Sequence, residues 1–396
     1  MGKRNASVGV VKTQSYTFEK LRLDSGKTLS PVTISYETYG KLNKDKSNAI
    51  FICHALSGDA HAAGKHRKNS RRNGWYDIAI GPGKTFDTRK YFVICANVIG
   101  GCKGSTGPSS VNPKTGEPYG IDFPTISVRD MVRAHKKLVD HLGIKKLFAI
   151  TGGSLGGMQV LEWARTFPES VHLAIPIACA AKQYPMNIVF NELGRKAIIA
   201  DENWKCGKYY DNDGTSNGRG KNAGGPRQGL AIARQIGHVT YLSQDTLERK
   251  FGRKRKNGKS SWKFRVDFEI QSYFNYQGKS FVSRFDANSY LYITHAIDQF
   301  DLTEGGAKKL KDVFEDLKSK FLIVSFTSDW LYPPEQNQEV FAGLAEAGVK
   351  ARYENLDIPY GHDSFLVYNN TLGNVLLEFL EEESKEYFDD TKGKPK

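Results

Sequence analysis

Residues 147–158 read LFAITGGSLGGM, and this stretch decides the fold. It begins as a short apolar strand, turns through glycines around Ser154 and continues as a helical pattern. Gly152 to Gly156 match the G-x-S-x-G motif, in which a serine lies at the tip of a tight strand-to-helix turn. Small neighbours permit the strained backbone of such a turn. A plain glycine-rich connection fits the same letters, so the rest of the chain has to separate the two interpretations.

The patterns on either side of this stretch indicate an α/β fold. Continuous apolar runs at 48–53, 91–96 and 172–178 are typical of strands buried within a parallel sheet. Between them, 127–142 has a helical pattern that Ser127 caps. Strands that alternate with helices predict a mostly parallel central sheet with helices on both faces.

This alternation stops near residue 181 and resumes with a strand pattern at 320–326. The intervening segment has helical patterns at 186–200, 228–243 and 287–300, separated by polar loops, which predicts an inserted helical lid. We therefore divide the chain into a first core part (1–181), the lid (182–300) and a second core part (301–396).

The formal net charge of +14 makes a nucleic-acid partner a hypothesis to consider. The densest basic segment, 253–265, has no helix-turn-helix, zinc spacing or RNA-binding aromatic motif beside it, so we expect no nucleic-acid partner. A polyanionic small molecule would also be attracted to a basic surface.

No apolar run approaches the roughly 18 residues of a membrane span, and no signal-peptide pattern is present. Five cysteines, an odd number, favour a reducing compartment, and we expect a cytoplasmic protein without membrane contact.

The order of the chain selects two partners for Ser154. An activated serine needs a base, and the base needs an orienting acid. After an elbow of this kind the acid comes first and the histidine second, each in a loop that follows a strand. Asp329 follows the strand pattern at 320–326, and His362 lies in a tight loop after a late strand. We predict a catalytic triad of Ser154, Asp329 and His362.

Such a triad also needs two N–H donors for the negative charge that develops on the carbonyl oxygen. The residue after the nucleophile, Leu155, supplies the first. The second is expected in the loop that follows the strand ending at Cys53, and we assign it to Leu56; an ordinary connecting loop is the alternative.

Nine segments in the same order resemble the homoserine O-acetyltransferase family. They are 54–61 (HALSGDAH), 80–87 (IGPGKTFD), 97–110 (NVIGGCKGSTGPSS), 152–159 (GGSLGGMQ), 190–198 (FNELGRKAI), 229–243 (GLAIARQIGHVTYLS), 285–290 (FDANSY), 328–334 (SDWLYPP) and 361–365 (GHDSF). The resemblance implies an α/β-hydrolase fold with a helical lid, acetyl-CoA as donor and a homodimer built through the lid. In this family methionine often follows the nucleophile; Leu155 replaces it with similar volume and keeps the N–H.

The resemblance also implies an acceptor site. It places Arg234 against the carboxylate of L-homoserine, which suits a planar guanidinium, and Tyr241, two helical turns further on, beside it. Asp363, next to the predicted base, suits the ammonium group, and we assign Ser57 to substrate binding as well. The alternatives are a lid–core ion pair for Arg234 and a helix cap for Asp363.

We therefore predict ping-pong acetyl transfer. Ser154 takes the acetyl group from acetyl-CoA and passes it to the hydroxyl of L-homoserine, giving O-acetyl-L-homoserine for methionine biosynthesis, with no bound cofactor and no metal. The alternatives are a succinyl-CoA donor, a serine acceptor, a serine esterase on the same scaffold, or a basic binding protein that has lost catalysis.

Overall fold

The computed structural model describes residues 7–210, 225–256, 258, 263–367 and 370–392, with side chains up to residue 388. The lid loop at 211–224 lies outside the described residues. The strands are β1 (Gln14–Phe18), β2 (Leu21–Arg22), β3 (Thr28–Leu29), β4 (Val32–Tyr39), β5 (Ala49–Cys53), β6 (Phe92–Ala96), β7 (Leu147–Gly153), β8 (Val171–Ile177), β9 (Lys320–Phe326) and β10 (Ala351–Leu356).

Eight of these strands form one sheet in the order β1-β4-β6-β5-β7-β8-β9-β10. The strands from β6 to β10 run parallel, whereas β1 and β4 add antiparallel pairs at one edge. Every residue of β5 and β7 is buried, which is why these strands read as unbroken apolar runs. The remaining two strands, β2 and β3, form a separate hairpin.

Helices cover both faces of this sheet. They are α1 (Val128–His141), α2 (Leu155–Thr166), α3 (Pro185–Ile199), α4 (Arg227–Tyr241), α5 (Gln244–Lys250), α6 (Glu269–Val282), α7 (Ala287–Asp298), α8 (Leu310–Phe314), α9 (Pro334–Glu346), α10 (Ser364–Val367) and α11 (Asn370–Lys392). One apolar core contains α1, α2 and α9, and a second on the opposite face contains α11. The predicted α/β fold is confirmed.

The segment between β8 and β9 is helical, as the sequence indicates, and contains α3 to α8. The observed α3, α4 and α7 agree with the predicted helices to within about two residues. The pattern missed α5 and α6, because α6 buries little more than Gly278, Phe281 and Val282 and has no continuous apolar stripe. Within the described part of the chain, no helix has the length and apolarity to cross a membrane.

Candidate active site

Ser154 occupies the turn between β7 and α2 with φ 59° and ψ −124°. A non-glycine residue with positive φ is strained by roughly 1–3 kcal/mol and persists only where its surroundings hold it. Here the Ser154 N–H donates to the carbonyl oxygen of Ile177 on β8 at 3.0 Å. This backbone has the strained geometry expected of a nucleophile elbow and not that of an ordinary glycine turn.

The glycines around Ser154 allow β5 and α10 to come close. A Cβ atom on Gly156 would lie 2.3 Å from the carbonyl oxygen of Cys53, and one on Gly152 would lie 2.5 Å from the same atom. A Cβ atom on Gly153 would lie 2.5 Å from the ring of Phe365. Side chains at these three positions would push the turn away from Cys53 and Phe365, which explains why these positions are glycine.

Asp329 and His362 meet at the carboxyl ends of β9 and β10. His362 Nδ1 lies 2.8 Å from Oδ2 of Asp329. The other oxygen of Asp329 accepts hydrogen bonds from the N–H groups of Leu331 at 2.9 Å and Tyr332 at 3.0 Å. The acid and the histidine are both buried, with exposed fractions of 2% and 3%. Two backbone N–H groups therefore fix Oδ1 of Asp329, while Oδ2 orients the imidazole of His362.

The second nitrogen of His362, Nε2, is buried and has no hydrogen-bond partner among the described residues. When Nδ1–H donates to the carboxylate, Nε2 carries a lone pair and can accept a proton. The ring of Phe365, which contacts Gly153 of the elbow, lies 5.5 Å from the imidazole ring, centroid to centroid. Phe365 therefore joins the Asp329–His362 pair to the turn that carries Ser154.

The two predicted oxyanion donors belong to different elements. Leu155 is the first residue of α2, and the first N–H groups of a helix have no acceptor within the helix. Leu56 lies inside a turn that is closed by the Gly58 N–H and the carbonyl oxygen of Ala55 at 2.9 Å. That turn uses neither the N–H nor the carbonyl group of Leu56, so its N–H remains suited to a bound oxyanion.

The loop that contains Leu56 is held from two sides. Gln159 Nε2 on α2 donates to the carbonyl oxygen of His54 at 3.2 Å. Arg284 Nη1, just before α7, donates to the carbonyl oxygen of Ser57 at 2.8 Å. The sequence interpretation missed Arg284, although an arginine directly before the 285–290 segment was an available signal.

Arg234 and Tyr241 lie together on α4. The guanidinium carbon of Arg234 is 5.2 Å from the ring centroid of Tyr241 and 5.0 Å from that of Phe281, within cation–π range. Arg234 forms no ion pair with any described acid, and its Nε atom is buried without a hydrogen-bond partner in that same set. The ring of Tyr241 is 6.0 Å from that of His362, so α4 brings both residues near the base.

Asp363 lies next to the base in a short turn, Gly361–Asp363, that precedes α10. Burial raises the pKa of the Asp363 carboxyl, while the positive charges of Arg234 and His362 act to lower it. A carboxylate in these surroundings gains from a bound cation, since a cation offsets the cost of burying its charge.

A cavity of about 680 Å³ opens beside these residues. Its wall includes the oxyanion loop with Ser57, the arginines Arg234 and Arg284 from the lid segment, and the loop 70–73. Ser57 and Arg234, which the sequence assigns to substrate binding, therefore face one space together with residues that it did not single out.

A second cluster lies at the edge of this cavity, around the fully buried Glu37. His61 Nδ1 is 2.9 Å from one carboxylate oxygen, and His66 Nε2 is 2.7 Å from the other, which also accepts from the Thr13 hydroxyl at 2.8 Å. Burial acts to raise the pKa of Glu37, but the hydrogen bonds from His61, His66 and Thr13 together lower it. The ligand-type atoms of the two histidines and the glutamate lie within 4.8 Å of one another. Sequence spacing did not signal this group, because Glu37 comes from β4.

Comparison with known proteins identifies the family. A family model for the alpha/beta hydrolase fold matches residues 48–212. The homoserine O-acetyltransferase of Methanohalobium evestigatum is 54% identical over 376 residues, which are 94% of this chain and 74% of that protein. The chain belongs to the homoserine O-acetyltransferase family. The resemblance seen in the nine sequence segments is thereby confirmed.

Solved structures related to this family include both transferases and hydrolases. The homoserine O-acetyltransferase from Bacillus anthracis has a TM-score of 0.85 at 29% identity, covering 94% of this chain and 98% of that one. Esterase E22 has a TM-score of 0.83, also at 29% identity, covering 94% of this chain and all of that one. Because the backbones are about equally similar, the side chains of the site have to distinguish acyl transfer from hydrolysis.

Proposed function

We propose that the chain transfers an acetyl group from acetyl-CoA to the hydroxyl of L-homoserine through an ester on Ser154. The observation that carries this proposal is the position of Arg234 and Tyr241 on α4, beside the ring of His362. An esterase needs the triad but no cationic group for an amino-acid carboxylate. An acceptor bound there would place its own hydroxyl near the base.

In the first half-reaction, His362 Nε2 takes the proton of the Ser154 hydroxyl. The serine oxygen attacks the thioester carbonyl, and the N–H groups of Leu56 and Leu155 hold the resulting oxyanion. The imidazolium is stabilised by Asp329 and donates its proton to the departing CoA thiolate. The products are free CoA and an acetyl ester on Ser154.

In the second half-reaction, L-homoserine occupies the space that CoA leaves. Arg234 binds its carboxylate in a two-pronged contact, with Tyr241 and Ser57 beside it. Asp363 binds the ammonium group. His362 then takes the proton of the acceptor hydroxyl, which attacks the acetyl ester. As the bond between the acetyl carbon and the Ser154 oxygen breaks, His362 returns the proton to that oxygen, and O-acetyl-L-homoserine leaves. The helical lid, 182–300, excludes water while the acceptor is bound.

A matrix of donors and acceptors tests this function against its alternatives. Acetyl-CoA and succinyl-CoA are each combined with L-homoserine, L-serine or buffer, and the release of free thiol is followed. We expect the acetyl-CoA and L-homoserine pair to exceed every other pair. Equal thiol release in buffer alone would establish an esterase instead, and a higher rate with succinyl-CoA or serine would reassign the donor or the acceptor.

We also propose that the protein is a homodimer that pairs through α3 and α4. Met186, Val189 and Leu193 are spaced three and four residues apart, so they lie on one face of α3. Each is more than 40% exposed. Ile232 and Val239, which are two helical turns apart on one face of α4, are also more than 40% exposed. An apolar surface of this extent on neighbouring helices is typical of an interface.

Sedimentation velocity tests the dimer. Val189→Asp combined with Leu193→Asp is expected to convert the dimer to a monomer, because two carboxylates would be buried without partners. Ile78→Asp is the matched control, since Ile78 is 48% exposed but lies in a loop of the core. A wild-type monomer, or a dimer that survives the double substitution, would contradict the proposed interface.

We propose the cytoplasm as the place of action. All five cysteines are free thiols, including the exposed Cys206, which suits a reducing compartment.

A further inference from the structure

The cavity lined by Ser57 and Arg234 has a volume of about 680 Å³, more than L-homoserine fills. Ser57 and Arg234 line one part of it, and the loop that contains Ser70, Arg71 and Arg72 lines another. L-homoserine is too small to occupy both parts. The additional space can accommodate a longer molecule whose reactive end lies near Ser57.

The charge along this cavity is unbalanced. Arg71, Arg72, Arg234 and Arg284 all line it, and none of them forms an ion pair with an acid in the described ranges. Burial and the positive charges of Arg234 and Arg72 lower the pKa of Arg284, so the guanidinium groups are close enough to repel one another. Four arginines face a single acid of the same wall, Asp59, and this excess of positive charge favours the binding of an anion.

The two ends of the cavity differ in exposure. Arg71 and Arg72 are exposed, whereas Arg234 and Arg284 are partly buried. Trp75, Leu366 and Asp59 also line the cavity. The indole N–H of Trp75 donates to the carbonyl oxygen of Asp59 at 2.7 Å, which fixes the ring in the wall. The charge of the Asp59 carboxylate acts on Arg284 and repels phosphate there, which favours phosphate at the exposed Arg71 and Arg72.

We propose that Arg71 and Arg72, at the outer end of this cavity, bind the phosphate groups of the acyl-CoA donor. This inference rests on the proposed function. Guanidinium groups bind phosphate oxygens in paired hydrogen bonds, and the 3′-phosphate and diphosphate of CoA are its charged end. The pantetheine arm then runs past Trp75 and Leu366, and the thioester reaches the oxyanion loop beside Ser57.

Two donors that differ only in their charged end test this assignment. Acetyl-CoA carries the nucleotide phosphates, and S-acetylpantetheine lacks them. The variant combines Arg71→Gln with Arg72→Gln. The control combines Arg67→Gln with Lys68→Gln, which removes two charges from exposed residues of the same loop that do not line the cavity.

We expect the Arg71/Arg72 variant to raise the KM for acetyl-CoA by about tenfold or more, the loss expected when charge-assisted contacts disappear. Its kcat/KM for S-acetylpantetheine and its KM for L-homoserine should equal those of the wild type. Adenosine 3′,5′-bisphosphate should compete with acetyl-CoA in the wild type and in the control, and much less in the variant.

An unchanged KM for acetyl-CoA in the variant would overturn the inference, as would an equal loss with both donors or in the control. These outcomes differ from a failure of the proposed function. In that case the wild type itself would release no thiol in response to L-homoserine, whichever donor is used.

Discussion

His362 Nδ1 lies 2.8 Å from Oδ2 of Asp329, and the opposite oxygen of that carboxylate is occupied by two backbone N–H groups. This arrangement sets the tautomer of the base. With Nδ1–H directed at the carboxylate, Nε2 is left as the proton acceptor. The buried Nε2, which has no partner among the described residues, is therefore the atom that accepts the proton in the proposed mechanism.

Asp329→Asn is expected to reduce kcat by roughly 10³- to 10⁴-fold, because an amide no longer enforces this tautomer or stabilises the imidazolium. Single-turnover release of CoA measures the effect on the first half-reaction. Asp357→Asn is the control: Asp357 accepts a hydrogen bond from the Thr327 hydroxyl at 2.8 Å beyond the same pair of strands. A loss of the same size in the control would indicate damage to the loops instead of the base.

Arg234→Lys is expected to raise the KM for L-homoserine by roughly 10- to 100-fold, since an ammonium cannot form the two-pronged contact with a carboxylate. The rate at which acetyl-CoA acetylates the enzyme in a single turnover should stay near that of the wild type. A loss confined to acetylation, with the KM for L-homoserine unchanged, would show that Arg234 serves the donor and not the acceptor.

Arg284→Gln is expected to slow acetylation of Ser154 by about 10-fold or more, because the carbonyl of Ser57 loses the donor that fixes the oxyanion loop. S-acetylpantetheine is the donor of choice here, since it avoids the phosphate contacts. Arg284→Lys should recover part of the rate, because a lysine ammonium is also a donor. If Arg284→Gln acylates at the wild-type rate, the loop does not depend on this contact.

The contribution of Glu37 to stability is expected to depend on pH. The pKa of His61 is raised: burial opposes its charge, but the hydrogen bond and charge of Glu37 outweigh burial. That stabilisation is complete below the ordinary histidine value of 6.5 and declines as the pH rises through the folded-state pKa. The pKa of the Glu37 carboxyl is lowered in the folded protein. This lowering stabilises the fold above pH 4.5, the ordinary pKa of a glutamate. The stabilisation declines as the pH falls through the folded-state pKa of Glu37.

The difference in Tm between the wild type and Glu37→Gln should therefore be largest between pH 4.5 and 6.5 and should shrink as the pH rises through the raised pKa of His61. Thermal unfolding across this range measures it. The exposed Glu117→Gln substitution, in the same series, controls for general effects of lost charge. A difference that grows as the pH rises would contradict the charged Glu37–His61 pair.

Local sequence patterns indicated the tight turn at Ser154 and the meeting of Asp329 with His362, both of which depend on local physics. The elbow could be inferred because the glycines around Ser154 are required by the close approach of Cys53 and Phe365. The order of Asp329 and His362 could be inferred because parallel strands bring their following loops to one edge of the sheet.

The parts that were missed depend on contacts between distant segments. Arg284 supports the carbonyl of Ser57 across a separation of 227 residues, and no periodicity signals such a pair. The same holds for Glu37 and its two histidines, and for Arg71, which meets lid residues only through a shared cavity. The helix α6 was missed because most of its side chains are only partly buried.

Intact-protein mass spectrometry can show whether Ser154 carries the acetyl group between the two substrates. The enzyme is mixed with acetyl-CoA alone, and the acetylated peptide is then located by digestion. We predict one acetyl group on Ser154, none on Ser154→Ala, and discharge by L-homoserine at least about 100-fold faster than by water. Acetylation elsewhere, or discharge at the same rate with and without L-homoserine, would contradict acetyl transfer through Ser154.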